Sequence, residues 1–187
     1  PAAMAPPLVL LDLDDTLVDR ASAIRRLFER LAARAPDPAA EVERLLALDR
    51  GGRAARSMVL GQALARLGLP GEVDDLHRWY GERYPGCFDP LPDATRAALE
   101  RLRAAGARLA VVTNGERYQE AVLRRTGVAD LVDAWVISEV DGARKPDARA
   151  FRLAATRAGA PFPAGGWMIG DDPLHDIAGA AAAGLST

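Results

Sequence analysis

The sequence predicts a doubly wound α/β fold, a parallel sheet covered by helices, with one helical insertion. Three observations lead there. Short runs are apolar at every position: Leu8–Leu11, 109–112 and Trp167–Ile169, with 132–137 as a fourth candidate. Runs without polar alternation suit strands buried on both faces, as in a parallel sheet. Helical stretches separate these runs, and strand–helix alternation favours right-handed crossovers within one sheet. Between residues 21 and 84, by contrast, no strand candidate occurs.

Each helix is predicted from its periodicity and its stops. Residues 92–105 carry apolar positions at helical spacing and end at Gly106; 118–126 end at Gly127. Residues 146–158 open with Pro146 in the first turn and end at Gly159. Pro at a helix start and Gly just past its end are the expected punctuation. In the strand-free section, 24–35, 39–48, 54–67 and 73–84 read as amphipathic helices. Pro36-Asp37-Pro38, Gly51-Gly52 and Leu69-Pro70-Gly71 divide them.

Composition bounds the function. The 187 residues are 49% hydrophobic, enough for one core with a modest insertion. Formal net charge is −2, so the basic surplus of a nucleic-acid binder is missing. Cys87 is the single cysteine, which rules out an intrachain disulfide and fits a reducing cytosol; it reads as a small apolar residue near a turn. Neither a signal-peptide pattern nor a bilayer-length apolar run occurs, so the expectation is a cytoplasmic protein without membrane or nucleic-acid partners. Oligomeric state carries no signal. The chain begins at Pro1 instead of Met and stops at Thr187, just past an expected helix end at Gly184, so a further piece of the natural chain is expected at one end or the other.

Four fragments carry candidate chemistry, each at or just past a strand end, where open α/β sheets bind ligands. The first is Asp12-Leu13-Asp14-Asp15-Thr16. While the backbone stays extended, Asp12 and Asp14 face one side. Two carboxylates together repel unless a cation or shared proton relieves them, and magnesium prefers such hard oxygens. A carboxylate can also attack phosphorus. Taken alone, the fragment equally fits a strand end followed by a helix cap. The second is Thr113-Asn114-Gly115, whose hydroxyl, amide and N–H groups can hold phosphate oxygens, or form an ordinary turn. The third is Lys145-Pro146, where the lysine can neutralise a carboxylate and a phosphate, or lie on the surface. The fourth is Gly170-Asp171-Asp172 with Asp176, a possible metal site or a helix N-terminal acidic cluster. His175 beside it reads as structural, and His77 as solvated.

In this order the fragments resemble the haloacid dehalogenase-like hydrolase superfamily, whose pattern is Asp-x-Asp-x-Thr after the first strand, Ser or Thr after the second, a later Lys, and a Gly-Asp acidic motif. The resemblance spans nearly all of the chain. It implies a Rossmann-like core formed by 1–18 and 88–187, with 19–87 as a small four-helix cap inserted after the first motif. Asp12 would be the nucleophile, forming an aspartyl-phosphate. Asp14 would be general acid for the leaving alcohol and then general base for water. Thr113, Asn114 and Lys145 would bind the phosphoryl group. Mg2+ would be held by Asp12, the Asp14 backbone carbonyl and Asp171, with Asp172 and Asp176 acting on bound waters or as outer partners. The substrate would be a small-molecule phosphate ester.

Asp14 separates branches of the superfamily. The dehalogenases lack a carboxylate acid/base there, having no alcohol to protonate, so Asp14 favours the phosphatases. The final strand that the family places after Gly184 has no counterpart in this sequence. In the cap, Arg53, Arg56, Trp79, Tyr80, Tyr84 and Phe88 are candidate substrate contacts, with packing and solvation as their plainer readings. Two other readings stay open: a phosphomutase on the same scaffold, and a catalytically silent phosphate- or partner-binding module.

Overall fold

The computed structural model describes residues 7–160 and 165–187. Four strands form a parallel sheet: β1 (Leu8–Leu11), β2 (Arg108–Thr113), β3 (Ala134–Ile137) and β4 (Trp167–Ile169), in the order β3-β2-β1-β4. β1 lies inside the sheet, and all four of its residues are buried, as an uninterrupted apolar run demands. Leu11 is level with Val111 on one side and Ile169 on the other. That register brings the residues following β1, β2 and β4 to one carboxyl edge.

Two strands depart from expectation. β3 starts at Ala134 instead of residue 132. Asp133 just before it is tied to β2: its N–H donates to the Leu109 carbonyl, and its Oδ2 accepts from the Leu109 N–H, both at 2.8 Å. β4 is not buried on both faces. Met168 is buried, whereas Trp167 and Ile169 are 54% and 47% exposed. Beyond Gly184 the chain lies beside β4 as a single bridge. The Met168 N–H donates to the Ser186 carbonyl and the Ser186 N–H to that of Gly166, both at 2.8 Å.

The chain divides into two compact units: one built from the chain up to Asp19 and from Asp89 onward, the other from Arg20–Phe88. The second is helical: α1 (Arg20–Ala32), α2 (Pro38–Asp49), α3 (Arg56–Leu67) and α4 (Val73–Arg83). Asp37 caps α2 by accepting from the Ala40 N–H at 3.1 Å, with Pro38 in the first turn. Glu72 and Asp75 form a reciprocal capping box at the start of α4. Tyr80 stacks on Tyr84, and Tyr84 meets Phe88 edge-on, each at 5.0 Å. These three rings are buried, so they form the core of this unit.

The sheet unit carries α5 (Asp93–Ala104), α6 (Gln119–Thr126), the single turn α7 (Ser138–Asp141), α8 (Ala148–Arg157), and a π-helical turn at Pro173–Ala178 that runs into α9 (Gly179–Ala182). α8 begins at Ala148 because Asp147 is its cap, accepting from the Arg149 N–H at 2.8 Å. Pro146 therefore precedes the helix and follows a cis Lys145–Pro146 peptide. The alanine face of α8, Ala150, Ala154 and Ala155, brings the helix close to the sheet. Phe151 there is fully buried among the residues of the sheet core, which include Leu8, Leu10, Ala110 and Met168. Burial of Phe151 contributes roughly 1.5–3 kcal/mol. Among the described residues no helix is long and apolar enough to cross a membrane.

Candidate active site

The carboxyl edge of the sheet gathers the four motif fragments. Asp12 continues β1 for one more residue: its N–H donates to the Ile169 carbonyl at 2.9 Å. The chain then folds back. The N–H groups of Leu17 and Val18 both donate to the Leu13 carbonyl, and the Asp15 N–H donates to that of Val18 at 2.8 Å. Asp15 takes a left-handed conformation, φ 56°, which Asp tolerates better than most residues. This turn ends the extended stretch just after Asp14, and Leu13 between the two carboxylates is fully buried.

Lys145 is the centre of the site. It is 3% exposed, and its Nζ lies 2.5 Å from Asp12 Oδ1 and 2.6 Å from Asp176 Oδ1. The contact with Asp12 is a hydrogen bond. That with Asp176 is an ion pair off the hydrogen-bond direction. The backbone around Lys145 is held by Asn114. Asn114 Nδ2 donates to the Lys145 carbonyl, and Asn114 Oδ1 accepts from the Lys145 N–H, both at 2.9 Å. Asn114, expected as a phosphate ligand, thus uses both ends of its amide to fix the lysine. Thr113 is buried at the end of β2, adjoining this pair.

The acidic fragment after β4 is organised by its turn. Asp172 caps the π-helical turn, accepting from the N–H groups of Leu174 and His175 at 2.9 Å, and Oδ1 lies 3.2 Å from His175 Nδ1. Asp176 is buried within that turn, and its Oδ2 accepts from the Asp172 N–H at 3.1 Å. Gly170 is required there, because a Cβ would overlap the Asp176 carboxylate. One oxygen from each of Asp12, Asp171 and Asp176 lies within 4.8 Å of the others. Asp176, expected as an outer partner, is therefore a member of the central cluster. The Asp14 carboxylate is directed elsewhere: Gln119 Nε2 donates to its Oδ2 at 2.5 Å.

Charge in this cluster is unbalanced. Burial pushes the Asp12 carboxyl up to about 7; Lys145 opposes the rise, and Asp176 and Asp14 add to it. Asp171 is likewise raised, first by desolvation and then by Asp176. Three carboxylates beside one ammonium, which pairs with Asp12 and Asp176, leave excess negative charge, and their oxygens are hard donors. That set fits a magnesium-type cation held by Asp12 and Asp171, with Asp176 bridging to Lys145.

Sequence reasoning missed Gln119 and underrated Asp176. In each case a glycine marks the close approach. A Cβ at Gly115 would overlap Gln119, as one at Gly170 would overlap Asp176. Arg56 is also placed differently from expectation. It lies 2.7 Å from buried Asp49 and over the Tyr80 ring, so its charge is engaged inside the helical unit. Arg53 is exposed.

The chain is similar to several known proteins. The chain is 39% identical over 99 residues to the pyrimidine 5'-nucleotidase YjjG of Escherichia coli, covering 52% of this chain and 43% of that protein. It is 31% identical over 188 residues to the tyrosine-protein kinase PtkA of Mycobacterium tuberculosis, covering 98% and 61%. It is 32% identical over 187 residues to the N-acetylmuramic acid 6-phosphate phosphatase of Pseudomonas aeruginosa, covering 96% and 79%. The chain spans about half the length of the first curated relatives, 43% of one and 49% of another. Its fold matches the putative HAD-hydrolase YfnB of Bacillus subtilis, solved with magnesium, at TM-score 0.68 and 25% identity, covering 97% and 85%. The profile of the family described as "Hydrolase: haloacid dehalogenase-like hydrolase" matches residues 6–184, and the chain belongs to that family.

Proposed function

We propose that the chain is a magnesium-dependent phosphatase that hydrolyses a small-molecule phosphomonoester through an aspartyl-phosphate on Asp12. The observation that carries this reading is the buried Lys145 ammonium, 2.5 Å from Asp12 and 2.6 Å from Asp176, at the sheet edge. Desolvating a lysine and two carboxylates is costly, and the fold does not need the charge for its packing. Here the lysine offsets the charge of an attacking carboxylate and of an incoming phosphoryl group. Relatives named as phosphatases support the substrate class.

In the first step an Asp12 oxygen bonds to phosphorus and the ester P–O bond breaks. Asp14, protonated, gives its proton to the departing alkoxide. In the second step water attacks phosphorus, Asp14 as carboxylate accepts the water proton, and the Asp12–phosphorus bond breaks to release inorganic phosphate. Thr113 and Lys145 bind the phosphoryl oxygens, and Asn114 holds Lys145 in place. Bound Mg2+, held by Asp12, Asp171 and the Asp14 carbonyl, would supply further positive charge to the phosphoryl oxygens and keep Asp12 ionised.

The test is phosphate release from p-nitrophenyl phosphate with Mg2+. Asp12→Asn is expected to abolish it, by at least about 1,000-fold, the scale of losing a covalent nucleophile. Undiminished turnover in that variant overturns the reading. Transfer of the phosphoryl group to an acceptor other than water is a second reading, favoured by the relative named a tyrosine-protein kinase, which matches 98% of this chain. Product analysis separates the two: free phosphate in one case, a phosphorylated acceptor in the other.

A further inference from the structure

We propose that Gln119 is a positioning residue for proton transfer, holding the Asp14 carboxyl in the orientation from which it serves the leaving group. This rests on the reading of Asp14 as the acid/base. Gln119 stands at the first position of α6 and is 2% exposed. Glutamine at a helix start is ordinarily solvated. Its backbone N–H already bonds to the Glu116 carbonyl at 2.9 Å, so the side chain is not needed as a cap. Instead the side chain crosses to the β1 loop, where Nε2 lies 2.5 Å from Asp14 Oδ2.

Two further observations show that the placement is held against a cost. Gln119 Oε1 is buried and accepts no hydrogen bond from the described residues. A glutamine chosen for stability alone would pair both ends of its amide. The loop before α6 also makes room for it. A Cβ at Gly115 would fall 2.6 Å from Gln119 Cγ and 2.9 Å from Nε2. Gly115 does not have a positive φ, so close approach, and not backbone conformation, is what calls for glycine there.

A donor fixed on one carboxyl oxygen restricts rotation about the Asp14 Cβ–Cγ bond. The proton then leaves from, and returns to, the other oxygen in a defined direction. The consequence is specific to the leaving group. An ester whose alcohol is a poor leaving group needs proton donation as the P–O bond breaks. A nitrophenolate needs little.

The experiment compares kcat/KM, which reports the steps through P–O cleavage, for phenyl phosphate and p-nitrophenyl phosphate with Mg2+. Gln119→Met keeps the volume and removes the donor. It is expected to lower kcat/KM for phenyl phosphate by about 10- to 100-fold and for p-nitrophenyl phosphate by less than about threefold, within the range of general acid catalysis. Asp14→Asn should show the same bias, and adding Gln119→Met to it should change little. Gly115→Ala, which keeps the amide but crowds it, should bias the two substrates in the same sense and serves if Gln119→Met does not fold. Equal losses on both substrates, or a full extra loss on top of Asp14→Asn, overturn the inference. Should Asp12→Asn retain turnover, the phosphatase reading itself fails. Should Asp12→Asn be inactive and Asp14→Asn biased while Gln119→Met and Gly115→Ala are not, only the role of Gln119 fails.

Discussion

The protein buries two ion clusters, one in each unit, and they are built on opposite plans. At the sheet edge, Asp12 and Asp176 share a single ammonium, that of Lys145, and an oxygen of exposed Asp171 lies within 4.8 Å of theirs. In the helical unit, Asp49 alone is shared by two guanidiniums: Arg20 at 2.8 Å and Arg56 at 2.7 Å, with the Gly52 N–H donating at 2.8 Å as well. Their acidities diverge accordingly. Burial raises Asp12 to about 7, and Lys145 does not cancel the rise. Burial also acts upward on Asp49, but Arg20 and Arg56 outweigh it and hold its carboxyl below the ordinary value. A buried carboxylate held by three donors, two of them cationic, stabilises a fold. One left short of positive charge is suited to take up a ligand that supplies it.

The largest expected effect breaks the satisfied cluster. Asp49→Ala leaves the buried Arg20 without its carboxylate and frees the Gly52 turn. Loss of one member of a buried pair costs about 3–5 kcal/mol. Urea unfolding should show this as a lower midpoint with little change in slope. The pH dependence has a definite sign. The folded-state pKa of Asp49 is depressed, so its contribution is complete above the ordinary value of 3.8 and is lost as pH falls through the folded value. The stabilities of wild type and variant should therefore converge in strong acid. A gap that persists there would show that packing, and not charge, accounts for the loss.

The same contrast explains what was legible in the sequence. β1 and β2 were legible as uninterrupted apolar runs between helical stretches, and Asp12, Thr113, Lys145 and Asp171 were singled out by the order of their motifs, through the family resemblance. The central place of Asp176 was underrated and Gln119 was missed, because their roles depend on contacts made across the fold. Asp176 meets Lys145 from another element, and Gln119 meets Asp14 across 105 positions. Arg56 looked like a surface arginine because its partner, Asp49, is seven residues away across a break between helices, outside the i, i+4 spacing of a helix face. β4 was misjudged because a three-residue apolar run does not reveal that it has a neighbour strand on one side only, apart from the Ser186 bridge.

A smaller effect sharpens the electron-rich side of the comparison. Asp171→Asn removes one charge from a cluster that has too many. Without divalent cations the thermal midpoint should rise, by at most about 2 °C, since the Asp171 side chain is solvent-exposed and screened. With Mg2+ the order should reverse. A cation at 100 times its dissociation constant stabilises by about 2.7 kcal/mol, and the variant should forfeit most of that gain. Equal Mg2+-induced shifts in the two proteins would remove Asp171 from the ion's ligands.

The smallest expected effect tests whether distance alone says anything. Arg25 Nη1 lies 2.6 Å from Glu43 Oε1, the same separation as between Lys145 and Asp176. The side chains of the surface pair, however, are 46% and 65% exposed, whereas those of Lys145 and Asp176 are 3% and 1%. Water solvates the surface ions nearly as well when they are apart. Salt screens what attraction remains, and holding two long side chains together costs entropy. Arg25→Ala should therefore leave the urea midpoint unchanged within error at physiological salt. Lys145→Ala strands two buried carboxylates and should lower the metal-free midpoint clearly. A measurable loss from Arg25→Ala that persists at high salt would mean that the arginine stem packs against its neighbours, and the stabilisation would then belong to its methylenes and not to its charge.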